Sequence, residues 1–121
     1  MKTTHNRALR LGEQIRRSLG IILNRQKHPY DFSGVSITAV KASPDLSTAT
    51  VYITNLIAEV EQQQIEFDLN EASSFLRKKL SQNLNLRKTP KLTFKYDKSI
   101  EFSSKLEKLI STVSRKTKAN G

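Results

Sequence analysis

At 121 residues, the chain has the length of one domain with a single hydrophobic core, since two cores would need a longer sequence. Its 21 Lys and Arg residues outnumber its 11 Asp and Glu residues, and the net charge of +10 favours an anionic partner such as nucleic acid or an acidic membrane. The absence of cysteine excludes disulfides and thiolate metal sites, and no apolar run has the roughly 20 residues of a membrane span. We therefore expect a cytoplasmic protein without a signal peptide.

The positive charge is concentrated in two segments of the chain. Residues 1–30 and residues 71–95 each carry seven Lys or Arg residues against a single Glu, which gives each segment +6. Residues 31–70 have a net charge of −5, and residues 96–121 have +3. The chain would present one strongly basic face if the fold brings the two basic segments together.

The first predicted element is a helix from about Thr4 to Lys27. Its apolar residues recur at steps of three and four and form one stripe: Ala8, Leu11, Ile15, Leu19, Ile22 and Leu23. Arg10 and Arg17 point away from this stripe and stand one above the other, with three polar neighbours: Arg7, Gln14 and Arg25. This face is either an ordinary solvated surface or part of an anion-binding one.

Two strands joined by a tight turn are predicted next. Pro29 ends the helix, and Gly34 closes the loop that follows it. Two runs then alternate apolar and polar residues: Val35, Ile37 and Ala39 in the first, and Ala49, Val51 and Ile53 in the second. Because Ser43-Pro44-Asp45-Leu46 between them suits a tight turn, the two strands should form an antiparallel hairpin.

Helical spacing returns over residues 60–84. The apolar residues again recur at steps of three and four: Ile65, Leu69, Ala72, Leu76 and Leu80. This spacing fits one continuous helix, but Ser73 and Ser74 also suit the start of a second helix, because serine hydroxyls cap helix N-termini. A second helix would present free N–H groups to a phosphate, with Arg77 and Lys78 one turn further on. The sequence physics leaves both alternatives open.

A third strand should follow Pro90, which ends the helical region. Leu92, Phe94 and Tyr96 alternate with polar residues there. We expect a terminal helix from about Ser99 to Ser114, with residues 1–114 as one domain and residues 115–121 as a basic disordered tail. The predicted fold class is α+β, with a three-stranded sheet and helices on one of its faces.

Residues suited to catalysis are scarce. The two histidines, His5 and His28, have no metal-ligand spacing, and the four glycines match no phosphate-loop motif. Four acids cluster in the sequence, where they suit the helix dipole and solubility better than acid/base work: Glu59, Glu61, Glu66 and Asp68. We predict a protein that is not an enzyme and that has no cofactor and no metal site.

Four stretches of the sequence together resemble the ribosome-binding factor A family, and the resemblance covers about residues 5 to 112. They are RALRLGEQIRRSLGIIL, VSITAVKASPDLSTATVYIT, EASSFLRKKL and LNLRKTPKLTFKYDKSIE. The resemblance implies a type II KH-like fold, α-β-β-α-α-β, in which a kinked helix pair around an Ala-x-Gly element replaces the usual GxxG loop. That element matches Ala72-Ser73-Ser74, with Ser74 in place of glycine. A bend here should therefore lack positive φ or be shallower.

The resemblance also implies a partner. Members of the family bind the small (30S) ribosomal subunit during its maturation, near the 5′ end of 16S rRNA, are needed especially in the cold, and have no catalytic activity. We accordingly expect a monomer that binds the 30S subunit or its precursor. The residues expected to contact RNA are Arg10, Arg17, Ala72, Ser73, Ser74, Arg77, Lys78, Lys79, Arg87, Lys88 and Lys91.

Two other functions are weighed against this one. The first is a basic module that binds an acidic membrane or nucleic acid without a ribosomal role, which is disfavoured because the cations lie on an amphipathic fold with a core. The second is a small hydrolase or nuclease, for which the sequence offers no acid/base pair. Most aromatic residues fall at predicted core positions, which also disfavours a base-stacking platform of the RRM type.

Overall fold

The computed structural model describes the backbone of residues 2–55 and 62–98, and the side chains of residues 6–55 and 62–98. The terminal helix and tail expected after residue 98, the side chain of His5, and Glu59 and Glu61 lie outside the described residues. The described elements are α1 (Lys2–Arg25), β1 (Val35–Ala42), β2 (Thr48–Asn55), α2 (Gln62–Glu71), α3 (Ser73–Leu84) and β3 (Lys91–Tyr96). This order confirms the predicted α+β class and the α-β-β-α-α-β arrangement.

The three strands form one mixed sheet in the order β1-β2-β3. β1 runs antiparallel to β2, which confirms the predicted hairpin, and β3 runs parallel to β2 on its other side. Between the hairpin strands, the Leu46 N–H donates to the Ser43 carbonyl at 2.9 Å, and Leu46 has a φ of 64°. Hydrogen bonds from Ser43 and Ser47 to the Asp45 carboxylate lower the pKa of Asp45 to about 2, so this turn carries a negative charge at neutral pH.

A β-bulge in β1 changes the face on which Ala39 lies. The register shifts between Ile37 and Ala39, which stands opposite Tyr52. Beyond the bulge, Val40 and Ala42 pack against the core. The predicted alternation, which grouped Ala39 with Ile37, is therefore wrong after Ile37, because one inserted residue exchanges the two faces of a strand.

The core lies between the sheet and the helices, as the two-layer prediction required. Its largest fully buried residues come from α1, β2, α2, α3 and β3: Ile15, Leu19, Leu23, Val51, Ile53, Leu69, Leu76, Leu80, Leu92 and Phe94. No described helix covers the other face of the sheet, and Thr48, Lys91, Thr93 and Lys95 are exposed on it. This open sheet face carries the side chains that alternate with those of the core.

Helix α1 approaches the sheet most closely at Gly12. A Cβ atom added at Gly12 would lie 2.8 Å from the Val40 carbonyl oxygen, a distance that side chains do not tolerate. Gly20, two turns further along the same helix, would meet nothing within 4 Å. Of these two glycines, only Gly12 is therefore required by the packing of α1 on β1.

Side chains of α2 and α3 form hydrogen bonds with backbone groups along the outer edge of β3. The Phe94 N–H donates to Asn70 Oδ1 at 2.8 Å, and Asn70 Nδ2 donates to the Phe94 carbonyl at 3.0 Å. Ser73 Oγ donates to the Leu92 carbonyl at 2.7 Å. The Tyr96 N–H donates to the Glu66 carboxylate at 3.0 Å. The three side chains that make these bonds recur at helical spacing: Glu66, Asn70 and Ser73. They satisfy backbone groups that an edge strand would otherwise leave unpaired.

Candidate nucleic-acid interface

The helical region that the sequence left open is two helices, separated at Ala72. Helix α2 ends at Glu71, α3 begins at Ser73, and Ala72 has a φ of −85° and a ψ of 3°. The Ala72 N–H still donates to the Asp68 carbonyl at 3.1 Å, and the Leu76 N–H donates to the Ala72 carbonyl at 2.9 Å. The interruption is thus one residue long, and the Ala72 side chain, 1% exposed, lies in the core.

The two serines after Ala72 differ in what they contact. The α3 N-cap has no side-chain hydrogen bond, so the predicted serine cap is wrong, and the Ser73 hydroxyl donates to the Leu92 carbonyl instead. Ser74 is exposed, and among the described non-glycine residues positive φ occurs at Leu46 and Asn85 alone. The bend is therefore made without the left-handed conformation that a glycine would favour.

Arg77 holds the loop between α3 and β3. Its Nε and Nη2 atoms donate to the Thr89 carbonyl oxygen at 2.9 Å and 2.6 Å. Hydrogen bonds from a guanidinium are charge-assisted, and two to one oxygen fix both its position and its plane. Arg77 therefore has a structural role as well as a charge. No sequence pattern indicates this role, because the partner is a backbone carbonyl 12 residues away.

The loop itself starts where α3 ends, at Asn85. Asn85 has a φ of 52°, and its N–H donates to the Ser81 carbonyl at 3.0 Å, which is a common way for a helix to end. Pro90, buried in the core, closes the loop before β3. Arg87 and Lys88 lie between these two fixed points and are exposed.

An open groove of about 1440 Å³ lies between α3, this loop and the hairpin turn. We call it the basic groove. Its cations are Arg77, Lys78, Arg87 and Lys88, and its neutral polar residues include Ser47, Ser74, Ser81 and Gln82. The one acid in its lining is Asp45, whose carboxylate accepts hydrogen bonds from its neighbours in the turn. The groove therefore combines excess positive charge with neutral hydrogen-bonding groups.

A smaller groove of about 270 Å³ extends the basic groove onto α1, and we call it the α1 extension. Arg7, Arg10 and Gln14 of α1 line it. Leu46, Arg87 and Lys88 line both the α1 extension and the basic groove. The fold thus brings the two basic segments of the sequence onto one face, around the turn residue Leu46.

Arg17 does not line either groove, although the sequence placed it with Arg10. Its Nε atom lies 3.5 Å from the Glu13 carboxylate, and its side chain is 75% exposed. Glu13 also accepts hydrogen bonds from Arg16, which are the main cause of its lowered pKa, and Arg17 adds to the effect. This part of α1 is a solvated surface with internal charge pairing.

Four other expected RNA contacts also lie outside these grooves: Ala72, Ser73, Lys79 and Lys91. Ala72 is buried in the core, and the Ser73 hydroxyl is bonded to the Leu92 carbonyl. Lys79 Nζ lies 5.6 Å from the ring centroid of Phe75, which is half-buried and has its ring 5.5 Å from that of Tyr30. Lys91 is exposed on the open sheet face. Conversely, the grooves are also lined by residues that were not among the expected contacts, and four of these have long or hydroxyl-bearing polar side chains on the helices: Arg7, Gln14, Ser81 and Gln82. Three of these four are neutral and carry no charge signal that a sequence pattern could detect.

The described residues contain no group of three or more His, Cys, Asp and Glu side chains that could hold a metal ion. None of the described helices has the length and apolar character to cross a membrane. The cations that line the two grooves suit the binding of an anionic partner by charge.

Comparisons with known proteins agree on one family. The family model for ribosome-binding factor A matches residues 7–110. The ribosome-binding factor A of Macrococcus caseolyticus is 33% identical over 109 residues, which cover 90% of this chain and 96% of that protein. The crystal structure of ribosome-binding factor A from Thermus thermophilus superposes with a TM-score of 0.61 at 25% identity, covering 72% of this chain and 92% of that one. Coordinates of the Thermus thermophilus protein fitted into a cryo-EM map of its 30S complex give a TM-score of 0.61 at 24% identity, covering 75% and 96%.

Proposed function

Because this chain belongs to the ribosome-binding factor A family, we propose that it binds the small (30S) ribosomal subunit or its precursor through 16S rRNA. The basic groove and the α1 extension contact the RNA backbone. The observation that carries this assignment is the convergence of Arg10 with Arg87 and Lys88, which are far apart in the sequence. A 30S partner is also the one named for the Thermus thermophilus protein.

The proposed contacts are mainly electrostatic. Lys and Arg side chains position a protein on phosphates without reading the bases, while the start of α3 and the exposed Ser74 add neutral donors at one side of the basic groove. Five exposed cations line the two grooves besides Arg77: Arg7, Arg10, Lys78, Arg87 and Lys88. If each contacts one phosphate, log K should fall with log salt with a slope of roughly −3.5 to −4.5.

We further propose that binding assists late processing and maturation of 16S rRNA, notably at low temperature, without catalysis by this chain. The protein acts as a cytoplasmic monomer, with residues 1–114 as the KH-like domain and residues 115–121 as a basic tail. A contact near the 5′ terminal region of 16S rRNA is part of this proposal. The open groove supports a contact with RNA, since an extended RNA backbone fits an open surface better than an enclosed pocket.

Charge reversal at the loop tests the proposal. The Arg87→Glu, Lys88→Glu variant should lose at least about tenfold in affinity for purified 30S subunits at low salt, because two phosphate contacts become repulsive. The matched control is Arg25→Glu, Lys27→Glu, which makes the same change in net charge at exposed positions outside both grooves. Co-sedimentation with 30S subunits in sucrose gradients measures both variants. Equal losses in the two variants would reject a localised interface, and wild-type protein that never co-sediments would reject the ribosomal function.

A further inference from the structure

We infer that the open sheet face is a second RNA-binding surface, continuous with the basic groove, and that it takes the phosphate backbone of the RNA strand that leaves the groove. The inference rests on the proposed function for the identity of the polyanion. It concerns a surface opposite the helices, which the groove does not include. Three lysines carry it: Lys41, Lys91 and Lys95.

The strand register places these lysines in adjacent rows across the sheet. Lys91 stands beside Thr48 in the first row, and Lys41 stands beside Thr50 in the second. Lys95 is in the third row, beside Tyr52. Since residues two apart on a strand are roughly 6.6 Å apart, the three rows extend for about 13 Å.

All the charged side chains that the described residues place in those three rows are positive. The described residues place no Asp or Glu there, and the neighbours of the lysines are hydroxyl-bearing: Thr48, Thr50 and Thr93. Asp97 follows one row beyond Lys95, where it accepts a hydrogen bond from Thr38. The face is therefore a bounded cationic patch with neutral donors, and such a patch is complementary to a phosphate backbone.

Tyr52, on the middle strand of the sheet, gives the third row of the patch an aromatic surface. The tyrosine is half-exposed, and Lys41 Nζ lies 5.7 Å from the centroid of its ring. The bulge at Thr38 places Ala39, a small residue, beside Tyr52 on this face. Aromatic rings next to cations are typical of surfaces that bind single-stranded nucleic acid without sequence preference.

The patch joins the basic groove at the edge where β2 and β3 begin. The Lys91 N–H donates to the Ser47 carbonyl at 2.9 Å, and Ser47 lines the groove. Thr89, also in the groove lining, precedes Lys91 by two residues. A strand that follows the groove towards this edge would reach Lys91 next and then the second and third rows. Two unconnected patches would require two separate RNA segments, whereas this arrangement requires one.

Reversing the charge of the two lysines that lie farthest from the groove, Lys41 and Lys95, tests the inference. The probe is a fluorescently labelled oligouridylate of about 16 nucleotides, and purified 30S subunits are measured in parallel. The Lys41→Glu, Lys95→Glu variant should bind the oligouridylate about tenfold more weakly, and its salt slope should be smaller in magnitude by roughly 1.4, or 0.7 for each lost phosphate contact. Lys41→Arg, Lys95→Arg should bind normally, and circular dichroism melting should show that all variants are folded.

The outcomes separate this inference from the proposed function. If Lys41→Glu, Lys95→Glu keeps its affinity and slope while Arg87→Glu, Lys88→Glu loses binding, the second surface is rejected and the proposed function stands. If the lysine variant loses 30S binding but keeps oligouridylate binding, the face contacts a ribosomal protein and the inference is again wrong. A photocrosslinking residue at Tyr52 should attach to the oligouridylate, whereas one at Phe67, which is 59% exposed on α2, should not.

Discussion

The α2–α3 bend and the loop that follows α3 look alike in the sequence, since each combines polar residues with two or three cations. In the structure they differ in what their side chains contact. At the bend, Ser73 is bonded to the Leu92 carbonyl and Arg77 to the Thr89 carbonyl. In the loop, Arg87 and Lys88 are exposed and line both grooves. The bend thus holds the surface in place, and the loop supplies the charges available to a ligand.

The largest expected effect is on the stability of the bend. Leu76→Ala removes a fully buried side chain from α3 and should lower the free energy of unfolding by about 2 to 5 kcal/mol. Urea denaturation followed by circular dichroism measures it. Asn83→Ala on the same helix, at an exposed position, should change the stability by less than about 0.5 kcal/mol. Equal effects of the two substitutions would contradict the placement of α3.

The approach of α1 to the sheet gives the next effect. Gly12→Ala places a Cβ atom against the Val40 carbonyl and should cost about 1 to 3 kcal/mol, since backbone must move to make room. Gly20→Ala meets no neighbour and should stabilise the helix by up to about 1 kcal/mol. Thermal melts should therefore show a lower melting temperature for Gly12→Ala and a higher one for Gly20→Ala. A stabilising Gly12→Ala would show that α1 lies further from β1.

Substitutions at Arg77 and Lys78 should affect different properties, the stability of the fold at Arg77 and the binding of 30S subunits at Lys78. Arg77→Lys keeps the charge but loses the bidentate contact with the Thr89 carbonyl, and should cost about 1 kcal/mol. Lys78→Gln should leave stability within about 0.5 kcal/mol and weaken 30S binding, because Lys78 contributes only charge to the groove. Denaturation and co-sedimentation of both variants test the comparison. The idea that the bend is structural fails if Arg77→Lys is as stable as the wild type.

The smallest effect is a pH dependence in the hairpin turn. Hydrogen bonds from Ser43 and Ser47 hold the folded-state pKa of Asp45 at about 2, below its ordinary value of 3.8. A lowered pKa stabilises the fold above the unfolded value, so this contribution should be complete above about pH 4 and lost as the pH falls towards 2. The difference in stability between the wild type and Asp45→Asn should therefore shrink over that window. A difference that stays constant from pH 5 to about pH 2 would contradict these bonds.

The sequence predicted the elements well because their signals are local. Apolar periodicity placed α1 within two residues at each end, and the Ser-Pro-Asp-Leu run marked the hairpin turn. The break at Ala72 was left open for a physical reason. Although the ψ of Ala72 is 3° instead of the helical value of about −42°, the hydrogen bonds from the Ala72 N–H to Asp68 and from the Leu76 N–H to Ala72 are kept. The spacing of apolar residues therefore passes through the interruption unchanged.

What could not be predicted depends on contacts between distant parts of the chain. The bulge near Thr38 moves the core-facing positions of β1 from Ile37 to Val40. Because Ala39 and Val40 are both apolar, the sequence does not show which of them faces the core. Arg10 and Arg17 are two turns apart on one helix, yet only Arg10 reaches the surface around Leu46. Contacts of this kind decide which cations stabilise the fold and which remain available to bind a ligand.

The most direct test of the account is whether the α1 extension and the basic groove form one interface. Photocrosslinking residues at Gln14 and Gln82, which line the two grooves without carrying charge, leave every cation in place. When the protein is bound to 30S subunits, both positions should crosslink to 16S rRNA within one continuous segment, and Asn24, exposed near the end of α1, should not. Crosslinks from Asn24 in the absence of crosslinks from Gln14 and Gln82 would contradict the account.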